Sequence, residues 1–288
     1  MDKLKALYNF FKGTQFDWLN TQPTRMAAAL AFRGIFSLAP LILIVFIMVT
    51  LAFDQQVAAT EVSEVLERLV GPEITSLMGE MLTSTVETVP NSGVISLLIT
   101  IGVMLYAATA LFYELKLTLN TIWGIPYTQS VGVFHFIKDR LVALVIVFGI
   151  GFLFVALVII NTIMSLLVSL LQLDTLFSLA SVAASFGLIT LVIALLFKFL
   201  PDARVFWRAV WVGAPVTSLM LTVGVWLLGI YLALTSVGAA YGGAGALMAT
   251  LIWLYYSAHI VIVGAAFTRS LEVRVIAPPP AEAEVSRG

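Results

Sequence analysis

Two side chains that could do chemistry stand inside long apolar stretches of this sequence. Arg33 lies about two turns into AAALAFRGIFSLAPLIL, and His259 lies in LYYSAHIVIVGAAF. A guanidinium in such a place can bind an anionic group, and an imidazole can relay a proton or contact a ligand. Each also has a structural alternative, because Arg33 can extend to a polar surface and a neutral His259 can bond to a carbonyl of a neighbouring helix. The sequence leaves these alternatives open.

Signatures of soluble enzymes are missing from the sequence. It holds two histidines, His135 and His259, and no cysteine. It contains no H-E-x-x-H pair, no G-x-x-x-x-G-K-[ST] loop and no nucleophile next to a base. We therefore expect no catalytic residue, no metal site and no cofactor, and we do not expect an enzyme.

The composition indicates which elements must hold these side chains. Of the 288 residues, 61% are hydrophobic and 11% are charged. Soluble domains average roughly 45–50% hydrophobic and about 25% charged residues. This chain therefore has too few charged residues to cover the surface of a soluble protein. The net charge of −1 also excludes a strongly basic nucleic-acid-binding protein. The sequence predicts an all-α, polytopic membrane protein whose partners are membrane lipids and not nucleic acid.

Six apolar stretches are long enough to cross a bilayer core, which takes about 20 residues. They lie at 27–53, 93–113, 141–171, 176–200, 207–235 and 244–267. The third stretch is unusually long, but two spans of about 15 residues without a turn would be too short to cross. We therefore expect one membrane domain of six spans over residues 27–274.

The basic residues indicate the orientation of these spans. Thirteen of the fifteen precede the first span, follow the sixth, lie between the second and third, or lie at or between the adjoining ends of the fourth and fifth. The two exceptions are Arg33 and Arg68. Because basic loops stay in the cytoplasm, both termini are predicted to be cytoplasmic.

Residues 54–92 form the one long segment on the predicted outer side. Apolar residues recur there at helical spacing, and Gly71-Pro72 interrupts them, which predicts an amphipathic helical hairpin. Its polar side is acidic, with Glu73, Glu80 and Glu87 seven residues apart. This side is either a cation-collecting surface or an ordinary solvated face.

The two ends of the chain differ from the spans. Residues 1–26 predict an amphipathic cytoplasmic segment that either lies in the membrane interface or caps the bundle. Residues 275–288, with three consecutive prolines at their start, predict a disordered cytoplasmic tail.

Several positions predict irregular backbone at membrane depth. Pro40 interrupts the first span, Gly213 and Pro215 lie near the start of the fifth, and Tyr241 and Gly242 belong to a neutral glycine-rich entry to the sixth. Freed backbone groups are tolerated only where protein or water covers them. We expect these positions to line one cavity toward which Arg33 points, with His259 as a further lining candidate.

Four collinear blocks of the sequence resemble the YihY/virulence factor BrkB family. They are AAALAFRGIFSLAPLIL, LTLNTIWGI at 117–125, FLPDARVFWRAVWVGA at 199–214 and YGGAGALMATLIWLYYSAHIVIVGAAFTR at 241–269. The resemblance covers residues 20–274 and implies a six-span protein of the bacterial inner membrane with cytoplasmic termini. The positions that match the family pattern are Pro40, Trp123, Pro201, Asp202, Trp207, Gly213, Gly242, Trp253, Tyr255 and Gly264.

The chain also departs from the family pattern. Arg33 stands where an aromatic residue is usual, Ala266 where a Glu is common, and His259 where an aliphatic residue is usual. The family once carried a ribonuclease label, which this sequence does not support. Its association with envelope lipids implies a role in the cell envelope.

Three functions follow in order of preference. The first is a transporter or translocation factor for a lipid-like or amphipathic substrate in envelope biogenesis. The second is a scaffold that assembles envelope machinery without transport, and the third is an intramembrane enzyme. The substrate, the energy source and the oligomeric state are left open by the sequence.

Overall fold

The computed structural model of the chain describes residues 22–51, 53–70, 75, 79, 94–125, 133–171, 174–235 and 244–273. Every element given by these residues is an α-helix. In chain order they are α1 (Pro23–Thr50), α2 (Gln55–Val70), α3 (Val94–Ile122), α4 (Val133–Leu171), α5 (Asp174–Phe199), α6 (Trp207–Thr235) and α7 (Gly245–Leu271). The predicted all-α class is confirmed for this part of the chain.

Five of these helices are long and apolar enough to cross a membrane. The segments are Pro23–Thr50, Ile137–Ile160, Val182–Phe199, Trp207–Leu232 and Gly245–Leu271. Only 22–35% of each apolar window is buried inside the bundle, so most of each helix surface faces outward. These helices make the chain a multi-pass membrane protein. Helix α3 is not one of the five, and the sixth span stays a prediction.

Two helices extend beyond the predicted spans. Helix α3 continues to Ile122 rather than ending at residue 113, and α4 begins at Val133 rather than at 141. Lys116 and Asp139, which lie outside the predicted spans 93–113 and 141–171, therefore lie in helices. The hydropathy pattern stops at the first charges, whereas a helix continues as long as its backbone hydrogen bonds and paired side chains allow.

Helix α7 lies between α6 and α1 and packs most extensively against these two helices. Helix α1 also packs against α3 and α4, and α4 continues the bundle through α5 to α6. The main core contains fully buried side chains from α1 and from α3 to α7, among them Leu119, Phe197 and Ile262. Helix α7 is thus the central element that positions its neighbours.

Helix α6 shows the surface that a membrane helix presents to lipid. Trp211, Leu219, Trp226 and Leu234 are exposed along its length. Such large apolar side chains are stable on an outer surface only where lipid or another apolar surface covers them.

The first part of the predicted outer hairpin is helical. Ala58 and Val62 of α2 are buried against Val49 at the end of α1 and against Phe154 and Val158 of α4. This packing lies at the opposite end of α1 from Pro23. Most of residues 71–92 fall outside the described residues, so the complete hairpin stays a prediction.

Candidate functional site

Arg33 of α1 forms an ion pair with Glu114 of α3. The guanidinium Nε lies 2.8 Å from Glu114 Oε2. The Arg33 side chain is 41% exposed, whereas that of Glu114 is 17% exposed. The described residues give the guanidinium no other partner, and part of the side chain is open to the surroundings of the bundle.

The neighbours of Arg33 explain its position on the border of the bundle. Phe32 and Phe36 are exposed on the outer side of α1 and make an edge-to-face contact at 5.1 Å. Gly34 is buried on the inner side, where a Cβ would lie 3.1 Å from Leu254 Cδ2 of α7. Arg33 therefore stands between an apolar outer face and a packed inner face.

A second arginine, on α4, lies against aromatic rings of α3. Arg140 donates through Nη1 to Thr109 Oγ1 at 2.8 Å, and its guanidinium carbon lies 4.1 Å from the Tyr106 ring centre and 5.2 Å from that of Tyr113. Cation–π contacts stabilise a guanidinium at a partly desolvated position. This contact joins the start of α4 to the outer face of α3.

Lys116 joins three elements in a group that we call the charge clasp, formed by Lys116, Asn120, Asp139 and Asp202. Lys116 Nζ lies 2.7 Å from Asp139 Oδ1 and 3.0 Å from Asp202 Oδ1. Asn120 donates to Asp202 Oδ2 at 2.8 Å and accepts from the Asp202 backbone N–H at 2.8 Å. The clasp fixes the loop between α5 and α6 against α3 and α4.

Lys116 lies beyond the predicted span 93–113 and is charged in this environment. Burial lowers the pKa of its amine, but the hydrogen bonds and charges of Asp139 and Asp202 outweigh burial, so the pKa is raised above its ordinary value. The amine therefore keeps its proton and its bonds at neutral pH.

Glu272, just after α7, forms a second junction at the same end of the bundle. It accepts from Trp123 Nε1 at 3.0 Å and from the backbone N–H of Phe206 at 2.9 Å. Phe206 precedes the first residue of α6, so the carboxylate sits where the positive end of that helix dipole favours it. We call the end that carries this junction and the charge clasp the polar end.

Gly124 completes the packing at the polar end. Its φ of +75° is a left-handed conformation that glycine adopts without strain. A Cβ there would also lie 3.1 Å from Arg269 Nη2. This turn ends α3 and allows Arg269 to approach its backbone.

His259 bonds within its own helix. Its Nδ1 lies 3.1 Å from the Tyr255 carbonyl, and the two rings meet edge to face at 4.5 Å. Because a carbonyl oxygen only accepts, this contact assigns the proton to Nδ1. The structural alternative for His259 named a carbonyl of a neighbouring helix, whereas this bond is to a carbonyl of its own helix.

The structure brings only some of the predicted site residues together. Trp123, Asp202 and Trp207 share the polar end, where Trp207 contacts Lys198. Gly213 and Gly264 instead lie in the contact between α6 and α7, where Thr268 and Thr217 fill the space beside them. Pro201 is buried in the loop before α6.

Only some of the residues predicted to line the common cavity are among the described residues. Tyr241 and Gly242 lie outside the described residues. Pro40 and Pro215 lie inside α1 and α6, which continue through them on either side of α7. The shared cavity stays a prediction, while Gly213 is a helix-packing position.

Sequence reasoning missed the partners of several predicted residues. It placed Lys116 between two spans and gave no role to Glu114, Asp139 or Glu272. The available signal was Glu114 at the end of the second apolar stretch, since a lone carboxylate there needs a cationic partner. Across the described residues, no group of three His, Cys, Asp or Glu side chains could hold a metal ion.

The comparisons with known proteins agree with the resemblance seen in the sequence. The family model described as Virulence factor BrkB matches residues 17–287, nearly the whole chain. Searches of curated proteins and of solved structures gave no significant match.

Proposed function

The chain belongs to the Virulence factor BrkB family, and from this membership we propose that it moves a lipid-like or amphipathic molecule in envelope biogenesis. In this proposal it is a six-span protein of the bacterial inner membrane with cytoplasmic termini and an outer helical hairpin. The observation that carries the proposal is the Arg33–Glu114 pair, which offers a guanidinium at the border of an apolar face.

The energetics of this pair support a binding role. An arginine inside an apolar segment is costly, and Glu114 reduces that cost by pairing with Nε. A guanidinium carries five N–H donors, so the remaining donors are free to bind a phosphate group in a two-pronged geometry. Phe32 and Phe36 offer an apolar surface beside them for an acyl chain.

The proposed orientation follows from the same polar groups. The charge clasp and Glu272 lie together at the polar end, where Lys198, Arg204 and Arg208 also lie near the α5–α6 loop. Basic residues concentrate on the cytoplasmic side of inner-membrane proteins. We place the polar end in the cytoplasm, and α2 then lies on the outer side.

A vesicle assay tests the transport proposal. The purified protein is reconstituted into liposomes that contain a phosphatidylethanolamine with a fluorescent headgroup, and dithionite then quenches the label of the outer leaflet. We expect the wild-type protein to raise the quenched fraction above that of protein-free vesicles, and Arg33→Gln to reduce this increase. Arg204→Gln, which changes an exposed arginine at the polar end, is the matched control and should behave like the wild type.

The outcomes separate the candidate functions. A wild-type protein that leaves the quenched fraction at the protein-free value would remove the transport proposal and favour a scaffold that assembles envelope machinery. Equal activity of wild type and Arg33→Gln would retain transport but remove Arg33 from it. Chemical change of the labelled lipid, seen by mass spectrometry, would instead favour an intramembrane enzyme.

A further inference from the structure

Two buried polar groups on one turn of α7 have no partner among the described residues. They are the indole Nε1 of Trp253 and the hydroxyl of Ser257. Residues four apart on a helix lie on the same side, so the two groups are neighbours. At 1.5 Å per residue, Trp253 lies about 12 Å along the helix from Gly245 and about 27 Å from Leu271, well inside a membrane segment.

The hydroxyl of Ser257 lacks the intrahelical hydrogen bond that several other hydroxyls in the membrane helices make. Thr250, Thr217 and Thr268 donate to the carbonyl four residues earlier, as hydroxyls in apolar helices usually do. Ser257 makes no such bond in the described structure, so its hydroxyl can serve another acceptor. A buried donor without an acceptor is destabilising, which gives an incoming acceptor a clear energetic advantage.

We propose that Trp253 and Ser257 bind an uncharged oxygen acceptor of an amphipathic molecule, namely an ester carbonyl of an acylglycerol lipid. Both donors are neutral, and a full negative charge buried beside them would lack a counter-charge. An ester carbonyl accepts two hydrogen bonds and sits where the polar and apolar parts of an acylglycerol meet. The inference rests on the proposed function, because it names the class of molecule that the protein would move.

The depth of the pair agrees with that of the Arg33 site. Gly34 of α1 packs against Leu254 of α7, and these two residues directly follow Arg33 and Trp253 in the sequence. Arg33 and Trp253 therefore lie at similar heights, one at the border of α1 and the other on α7.

Indole NMR tests this site directly. The protein, labelled with ¹⁵N-tryptophan in detergent micelles, is titrated with dioctanoylglycerol, and Trp253→Phe assigns the Trp253 indole signal. We expect the ester ligand to shift this signal. We expect Ser257→Ala to raise the apparent Kd about five- to tenfold, the effect of losing one hydrogen bond. The indole signals of the other tryptophans show whether each variant keeps its fold.

Matched controls define the acceptor. Thr250→Val changes a hydroxyl of α7 that already has its acceptor, so its Kd should equal that of the wild type. Di-O-octylglycerol, an ether with the same chains and no carbonyl, should bind about five- to tenfold more weakly. Inorganic phosphate should leave the Trp253 signal unchanged.

Several results would overturn the site. They are equal binding of ester and ether, equal binding by Ser257→Ala and wild type, or a shift caused by phosphate. Lipid translocation in vesicles without any response of Trp253 would remove this site alone, whereas binding at Trp253 without translocation would remove transport and leave the site.

Discussion

Gly264 of α7 lies directly against Thr217 of α6, so that a Cβ at position 264 would come within 2.6 Å of Thr217 Cγ2. The same relationship occurs with the helices exchanged, since a Cβ at Gly213 would lie 2.9 Å from Thr268 Cβ. Each threonine donates at 2.8 Å to the carbonyl of the glycine four residues earlier in its own helix. Helices in lipid associate through close packing, and these two Gly-x-x-x-Thr segments provide it.

Gly264→Ala is expected to destabilise the bundle. The new methyl group must displace Thr217 or separate α6 from α7, and overpacking of this kind costs about 1–3 kcal/mol. The thermal unfolding midpoint in detergent should therefore fall. Adding Thr217→Ala should recover part of the loss, because it removes the closest atoms of the facing side chain.

Gly229→Ala is the matched control in α6. A Cβ at that position would meet no atom within 4 Å, and alanine is the better helix former by about 1 kcal/mol. The midpoint should stay constant or rise. Equal losses for Gly264→Ala and Gly229→Ala would contradict the packing argument.

Lys116→Met is expected to weaken the polar end. The substitution keeps most of the side-chain volume but leaves two carboxylates close together without their cation. Breaking a fully buried pair costs about 3–5 kcal/mol, and because Asp202 is 57% exposed we expect about 1–3 kcal/mol. Thermal unfolding of the purified protein measures this loss.

Lys138→Met, on α4, controls for the general effect of replacing a lysine near the charge clasp. Lys138 is exposed close to the clasp in sequence, so its loss should change the midpoint little. Asp202→Asn should reduce the free energy of unfolding less in the Lys116→Met background than in the wild type. The reason is that the lysine that pairs with Asp202 is already absent there. If the two losses of unfolding free energy simply add in the double variant, Lys116 and Asp202 do not act as a pair.

Trp123→Phe is expected to destabilise the junction at Glu272. The ring volume is largely retained while the N–H donor to the carboxylate is lost, and a hydrogen bond to a charged group contributes about 1.5–3 kcal/mol. Trp226→Phe, on the exposed face of α6, is the control and should have little effect. An unchanged midpoint in Trp123→Phe would show that the bond contributes nothing measurable.

Reporter fusions test the proposed orientation. Fusions after Arg140, Arg208 and Arg274 should report a cytoplasmic location, and a reporter inserted between residues 60 and 88 should report the outer side. The reason is the concentration of thirteen of the fifteen basic residues on one side of six spans. An outer signal at Arg208 would exclude the six-span arrangement.

The helices themselves were largely predictable from the sequence. The predicted fifth span, 207–235, coincides with α6, and the single long third span lies within α4. Helix ends that carry charged residues were predicted less accurately. Hydropathy alone ended the second span at residue 113, whereas α3 continues to Ile122. The pairing of Lys116 and Glu114 with residues on other helices makes this extension possible.

The sequence by itself determined that this chain is an all-helical membrane protein. Its apolar stretches are long enough for single helices to cross lipid, and each helix satisfies its own backbone hydrogen bonds. That requirement is local and can be read along the chain.

Only the tertiary structure decided which polar groups meet. Trp123 and Glu272 are 149 residues apart and Asn120 and Asp202 are 82 apart, yet each pair forms a hydrogen bond at the polar end. The apolar periodicity of one helix does not specify which other helices pack against it. The partners of Arg33, Lys116 and Gly213 were set by the way in which α1, α3, α4, α6, α7 and the α5–α6 loop pack.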